Sequence, residues 1–464
     1  MEKDEQGKGK EFMTAREREM GTAKIPGMVL RYSIPTIIGM LVSAMYVVVD
    51  RFFVARIEGV GADALAGVTL ASPVMLILQA FSLLIGVGSA ANISIRLGKG
   101  DRAGAEKILG NAFILILIVS ITMGTLALIF LEPLLMIFGA DENTLPFAYI
   151  YTQIKIFGIV LMFLSFAMNH PIRAAGNAKR FASAQLLGAI LNIFLNPLFI
   201  FTFDMGIHGA GWSTVVAQAA SAAWVMSYYF RGQPAIRLRR RNFRLDPKYI
   251  VAICSIGVAP FFMQLLSSAI QGIANNFLGY LGGGHAIGAY GAIIAVFSLF
   301  VMPIFGITQG SQPILGFNYG AGNMKRVRTA YFWSALYAVS ICVLGMILMV
   351  SLPTQIVGLF AAEPEIIEIG AVGIRIMAIT LPAAAFVMNA STFFMSIGRA
   401  KISILLSVMR QGIVLIPLYF ILPQFFGIFG IWWATPAADL TAFTVAMLMI
   451  LREMRRLRKH EIEC

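Results

Sequence analysis

The stretch GIHGAGWSTVVAQ (Gly206–Gln218) returns 221 residues later as GIFGIWWATPAAD (Gly427–Asp439). Two further pairs keep the same period. FGADEN (from Phe138) matches FAAEPE (from Phe360), and AAGNAK (ending at Lys179) matches SIGRAK (ending at Lys401), both at an offset of 222. Offsets that agree to one residue mark a duplication of the chain and not a chance likeness of apolar text.

The duplicated unit is a set of membrane spans. Of the 464 residues, 58% are hydrophobic and 13% charged, where a soluble domain carries about 25% charged residues. Apolar runs of about 20 residues, the length a helix needs to cross a bilayer, recur from 28 to 451. Twelve such runs fit between the polar breaks, six in each period. Because six is even, both copies enter the membrane in the same direction. The sequence therefore predicts an all-α polytopic membrane protein. Twelve transmembrane helices form two six-helix lobes, related by a parallel internal repeat around a central cleft, which is a transporter architecture. The expected divisions are a cytoplasmic N-terminal tail (1–27), an N-terminal lobe (28–230), a basic cytoplasmic linker (231–248), a C-terminal lobe (249–451) and a basic cytoplasmic tail (452–464).

The net charge of +13 follows the same topology. Arg96, Lys99, Arg102 and Lys107 follow run 2. Arg173, Lys179 and Arg180 follow run 4, and RGQPAIRLRRRNFRLDPK (Arg231–Lys248) follows run 6. The alternate loops carry Glu132, Asp141, Glu142, Asp204, Glu363, Glu365 and Glu368; only the first of them has basic residues, Arg51 and Arg56. Basic loops stay cytoplasmic, so both termini are expected inside a cell (plasma) membrane. The positive charge then meets anionic lipid headgroups. The basic segments are short, separate and tied to membrane edges, so no nucleic-acid partner is expected. Cys254, Cys342 and Cys464 lie in no metal, redox or disulfide spacing. No zinc spacing and no phosphate-cradling loop is present, LGKGD (Leu97–Asp101) being too short for one. An enzyme and a cofactor are therefore not expected, and no cleavable signal peptide is read in the polar first 25 or so residues.

Within the first half, Asp50 ends an apolar run, and ionised groups in spans are costly enough to mark function by default. Ser43, Tyr46 and Asp50 share one face of run 1. Run 5 brings Asn192 and Asn196, four apart, and run 6 brings Thr214 in its first turns. The topology places all of these at similar depth. One carboxylate, two amides and a hydroxyl suit a hard cation such as Na⁺, and the carboxylate suits a proton equally well. Pro197 is expected to strain the turn before it and loosen carbonyls near residue 193. The structural alternatives are an Asp50 that reaches outward to Arg51 or Arg56, and asparagines that only join helices.

In the second half, aligning Pro35 with Pro260 puts Asn275 where Asp50 stands. That lobe offers uncharged candidates, among them Gln264, Asn275 and Gln309. Its acid exception is Asp439, expected to pair structurally with Arg410. Lys155 and Arg375 are expected to extend their charge to the outer membrane edge. Met40, Met45, Tyr46, Met162 and Phe166, with Gln264, Asn275 and Gln309, are candidates to line a substrate cleft. Phe (35) and Met (25) are abundant, and such side chains suit promiscuous pockets and organic cations.

Over roughly 28–450 the chain resembles the MATE (multidrug and toxic compound extrusion) transporters, in their DinF-like and MepA-like branch. The likeness is carried by YVVVDRFFV (Tyr46–Val54), DALAGV (Asp63–Val68), GNAKR (Gly176–Arg180), LNPLFIF (Leu195–Phe201) and Gly206–Gln218. The resemblance implies a monomer that extrudes varied, often cationic, small organic compounds in exchange for Na⁺ or H⁺ by alternating access. It also implies that Asp50, Asn192, Asn196 and Thr214 line the cation-coupling site. The family's usual second acid is replaced here by Asn196, which offers an oxygen but exchanges no proton. The alternative is a lipid-linked saccharide flippase of the same superfamily.

Overall fold

A computed structural model describes residues 15–230, 235–360 and 363–463. Residues 1–14 of the expected tail, the linker residues 231–234, residues 361 and 362 of the second acidic motif, and Cys464 lie outside the described residues. Every regular element among the described residues is helical, as hydrocarbon requires of a chain that must satisfy its own backbone.

The first half runs α1 (Ala15–Thr22), α2 (Ile25–Val54), α3 (Gly61–Gly98), α4 (Arg102–Ile129), α5 (Leu131–Ile137), α6 (Leu145–Phe157), α7 (Ile159–Ala167), α8 (Asn169–Ala174), α9 (Ala178–Pro197) and α10 (Gly206–Phe230). The second half runs α11 (Pro247–Gly283), α12 (His285–Gly320), α13 (Met324–Ser351), α14 (Pro353–Gly358), α15 (Pro364–Ala378), α16 (Leu381–Ser396), α17 (Ala400–Val408), α18 (Ile416–Phe426) and α19 (Ile428–Glu463).

Among the described residues, nine helices are long and apolar enough to cross a membrane, or eleven when each of two bent pairs counts as one span. The twelfth expected span is the 25-residue α10. Its Gly, Ser, Thr and Gln content makes it less apolar, and much of it is buried. The helices outrun the apolar text: α3 begins and ends beyond run 2 (64–92), and α19 continues twelve residues past run 12. Apolar text marks the hydrocarbon depth, whereas the backbone stays helical into the polar layer. The C-terminal segment is thus an extension of α19, held by the ion pairs Arg399–Glu453 at 2.5 Å and Arg328–Glu461 at 2.9 Å.

The duplication is written into the backbone. Gly100 and Gly322, 222 residues apart, both take φ +76. Each ends a helix in the left-handed region that glycine enters without steric cost, and the next helix starts two residues later. Gly176 (φ +82) and Gly398 (φ +78) do the same between α8 and α9 and between α16 and α17. LGKGD is therefore a helix–turn–helix junction, with the Asp101 carboxylate capping α4 by accepting from the Gly104 N–H at 2.8 Å. The fourth span of each half is bent at the matching place, by 60° between α6 and α7 and by 51° between α15 and α16.

The chain divides into two compact units. One comprises Met1–Thr22 and Ile38–Phe261, the other Ala23–Ile37 and Phe262–Cys464. The divisions fall just past Pro35 and Pro260, so each unit takes the N-terminal part of the first helix of the other half. Small residues admit these guests. Gly88 of α3 has no room for a Cβ against the Ile253 backbone, and Gly310 of α12 has none against Ser33. These two glycines are again 222 apart.

In the first unit the described part of the linker lies along α4. Glu106 is buried; it accepts from the Arg237 N–H at 3.2 Å and pairs with Arg239 Nε at 2.8 Å. The Asn111 side chain accepts from the Asp246 N–H at 2.8 Å, and Phe243 stacks on Phe113. Glu106 is thus the acid that fastens a basic strap. In the second unit the core gathers Tyr290, Tyr419, Trp432 and aliphatic residues of α11–α16, α18 and α19.

Candidate functional site

Asp50 lies near the end of α2, almost fully buried at 5% exposure. Its position follows from helical spacing: the face that carries Asp50 turns toward α6, α9 and α10. One carboxylate oxygen accepts from the Asn196 amide at 2.8 Å, the other from the Tyr151 hydroxyl at 3.1 Å. Neither neighbouring arginine takes it. Arg51 is exposed and reaches Ser72 Oγ at 3.4 Å, while Arg56 lies over the Phe52 ring at 3.5 Å. An ionised group out of water must be met by several partners, and here the partners are amides and hydroxyls.

The network continues without an idle amide atom. Asn196 donates a second bond to Asn192 Oδ1 at 3.1 Å, and Asn192 donates to Thr214 Oγ1 at 3.2 Å. Asn196 Oδ1 accepts from the Ser213 hydroxyl. Thr214 in turn donates to the Ala210 carbonyl at 3.1 Å. The four-residue spacing of Asn192 and Asn196 stacks the amides on one side of α9. Directly after them the helix widens into a π segment, Leu198–Thr202, following Pro197. This wide turn adds to the break that Pro197 itself makes, since proline has no N–H to give the carbonyl of residue 193. Such single wide turns recur at functional sites. A buried apolar cluster of Val54, Ala64, Val68, Ala71, Tyr151, Ile200, Ile207 and Ala210 seals this end of the unit.

Three participants escaped the sequence reading. Tyr151 and Ser213 were not singled out, although Ser213 adjoins Thr214. Lys155 was expected to extend to the membrane edge. Instead its ammonium donates to the Tyr151 oxygen at 3.2 Å and lies 4.8 Å from the centre of the Tyr151 ring. The reason is local: Tyr151 and Lys155 are one helical turn apart on α6, and a carboxylate waits beyond the phenol. The available signal was this four-residue pair in a span whose depth matches Asp50.

The other candidates are placed as follows. Met40, Tyr46, Met162 and Phe166 are half-buried in the first unit, Met45 is 62% exposed, and Ser43 bonds its own helix at Gly39 O, 2.8 Å away. In the second unit Gln264, Asn275 and Gln309 are half-buried. Asp439 is buried and pairs with Arg410 Nε at 2.6 Å, as expected, and also accepts from Thr380 Oγ1 at 3.1 Å. Arg410 sits on a second π segment, Met409–Leu415, and Thr380 at the break between α15 and α16. Arg375 is exposed. Of the cysteines, Cys254 and Cys342 are free thiols.

Comparison with known families settles what kind of chain carries this site. The MatE family profile matches two stretches, residues 35–198 and 260–421. The chain belongs to the MatE family. The two matches begin at Pro35 and Pro260, so the family unit is itself the repeat. Among relatives, the multidrug export protein MepA of Staphylococcus aureus (strain MRSA252) is 25% identical, covering 91% of this chain and 92% of its own length. MepA of Staphylococcus saprophyticus is 22% identical over 93% and 95%. Among solved structures, an outward-facing multidrug resistance MATE transporter superposes with a TM-score of 0.89 at 24% identity, covering 96% of this chain and 99% of that one. A transporter of the same superfamily from Pyrococcus furiosus gives the same figures. The protein is thus a multi-pass membrane transporter with the MATE fold, and not an enzyme.

Proposed function

We propose that this MATE protein is a secondary active multidrug exporter in the cell membrane. It exchanges Na⁺ or H⁺ for small organic, often cationic, compounds by alternating access, with both termini cytoplasmic and one chain as the working unit. Asp50 binds the exchanged cation, and Asn192, Asn196 and Thr214 tune its affinity. One observation carries this reading: a buried carboxylate held by amides and hydroxyls, with neither adjacent arginine paired to it. A group so placed gains or loses a cation at a large change in local energy, which is what coupling to a conformational cycle demands.

The names of the MepA relatives support export of varied compounds. We assign substrate contacts to Met40, Met45, Tyr46, Met162 and Phe166 of the first unit and to Gln264, Asn275 and Gln309 of the second. A flippase for an anionic lipid-linked saccharide is less well supported. Such a protein needs several free cationic side chains within its spans; of Lys155, Arg375 and Arg410, the first and last are engaged toward Asp50 and Asp439, which leaves Arg375.

The test is dye efflux from vesicles holding the full-length protein, under separately imposed Na⁺ and pH gradients. Asp50→Asn keeps the size of the side chain and removes its charge. The variant is expected to insert and fold while losing gradient-driven efflux at least tenfold. Transport at the wild-type rate would remove Asp50 from the mechanism.

A further inference from the structure

The donors around Asp50 are arranged in a way that bears on which cation the site accepts. A hard cation such as Na⁺ needs several oxygens turned toward one point. Here the group that faces Asp50 from α9 is the N–H side of Asn196, 2.8 Å away, while the Asn196 oxygen turns to Ser213. The Asn192 oxygen accepts from Asn196, and Thr214 accepts from Asn192. From α6 the facing group is again a donor, the Tyr151 hydroxyl at 3.1 Å. The candidate oxygens thus already accept hydrogen bonds from the chain.

The charge of Asp50 is also answered from within. The Lys155 ammonium bonds the Tyr151 oxygen at 3.2 Å, so it stands two hydrogen bonds from the carboxylate. Arg51, the other nearby cation, is exposed and reaches Ser72 Oγ at 3.4 Å, turned away from the carboxylate. The second unit shows the same device in tighter form: Asp439 carries its own cation, Arg410, at 2.6 Å. An amide at Asn196 and a lysine at position 155 together bring the local charge to zero, and a neutral pocket lined with donors does not attract Na⁺.

We propose that Lys155 is the specificity-determining residue of this site: a tethered ammonium, relayed by Tyr151, that stands in for Na⁺ beside Asp50 and makes exchange independent of Na⁺. This rests on the reading of Asp50 as the cation-binding group. Lys155 acts through Tyr151, so its signature is a change of ion preference and not simply a loss of rate.

The experiment uses full-length protein in two measurements, thermal stability in NaCl against KCl and dye efflux from vesicles under Na⁺ or pH gradients. Wild-type protein is expected to have the same Tm in both salts and to respond to a pH gradient only. Lys155→Gln is expected to gain a Tm increase in NaCl that KCl does not give, and to gain efflux driven by a Na⁺ gradient. Lys155→Arg, which keeps the charge, is expected to keep the indifference to Na⁺. The proposal is overturned if wild-type efflux runs on a Na⁺ gradient, or if Lys155→Gln responds to Na⁺ as the wild type does. The wild-type comparison stands even if a variant fails to fold. Asp50→Asn separates the two readings. If it retains gradient-driven efflux, the coupling role of Asp50 fails; if it loses efflux while Lys155→Gln stays blind to Na⁺, only the role of Lys155 fails.

Discussion

At the scale of residues, the two halves hold their buried acids differently. Asp50 is bound by neutral donors with a lysine at one remove, and Asp439 is bound directly by an arginine. The second arrangement is a fixed ion pair whose acid is buried and whose arginine is partly exposed, further anchored by Thr380. Breaking such a pair from one side leaves a buried charge and costs about 3–5 kcal/mol, whereas replacing both partners by apolar residues of similar volume is close to neutral. Arg410→Met is therefore expected to lower the Tm in detergent sharply. The double variant Arg410→Met, Asp439→Leu is expected to recover most of the loss. If the double variant still transports, the pair is structural; if it is stable but inactive, the pair takes part in the cycle.

At the scale of elements, repeated glycines fix where helices end. A Cβ added at Gly100 or Gly322 would meet no atom within 4 Å, so replacement by alanine has no packing cost. What remains is the backbone cost of positive φ, about 1–2 kcal/mol for a residue with a Cβ. Gly100→Ala and Gly322→Ala are accordingly expected to destabilise by similar amounts, read as equal Tm decreases. A marked inequality would show that the two turns are not equivalent in energy despite their equal φ. The period was readable in the text because the motifs GNAK and GRAK sit in the other matched pair of turns, at Gly176 and Gly398. The breaks between α6 and α7 and between α15 and α16 were not, since an apolar run reads the same whether its helix is straight or bent.

At the scale of the whole molecule, neither unit is a contiguous half of the chain. The N-terminal part of α11 belongs with the first unit and that of α2 with the second, each against a glycine that leaves it room. A first-half fragment, residues 1–230, lacks the helix that covers Gly88, and its partner fragment lacks the one that covers Gly310. Each expressed alone is expected to be degraded. Co-expression of the two, cut within 231–234, is expected to restore membrane levels on immunoblot and dye efflux. Survival of residues 1–230 alone at full-length levels would show that the guest helix adds little.

The sequence by itself determined that this is a helical membrane protein, duplicated in parallel, with a carboxylate, two amides and a hydroxyl at one depth. Hydropathy, charge placement and the 222-residue period are one-dimensional signals, and they carry that much because lipid allows few alternatives to the helix. Only the tertiary structure decided that Asn196 turns its N–H to Asp50, that Tyr151 and Lys155 complete the network from another span, and that each unit borrows a helix end from the other half. Those facts depend on which helices are neighbours and on how side chains rotate between them, and helical periodicity within one span cannot encode either.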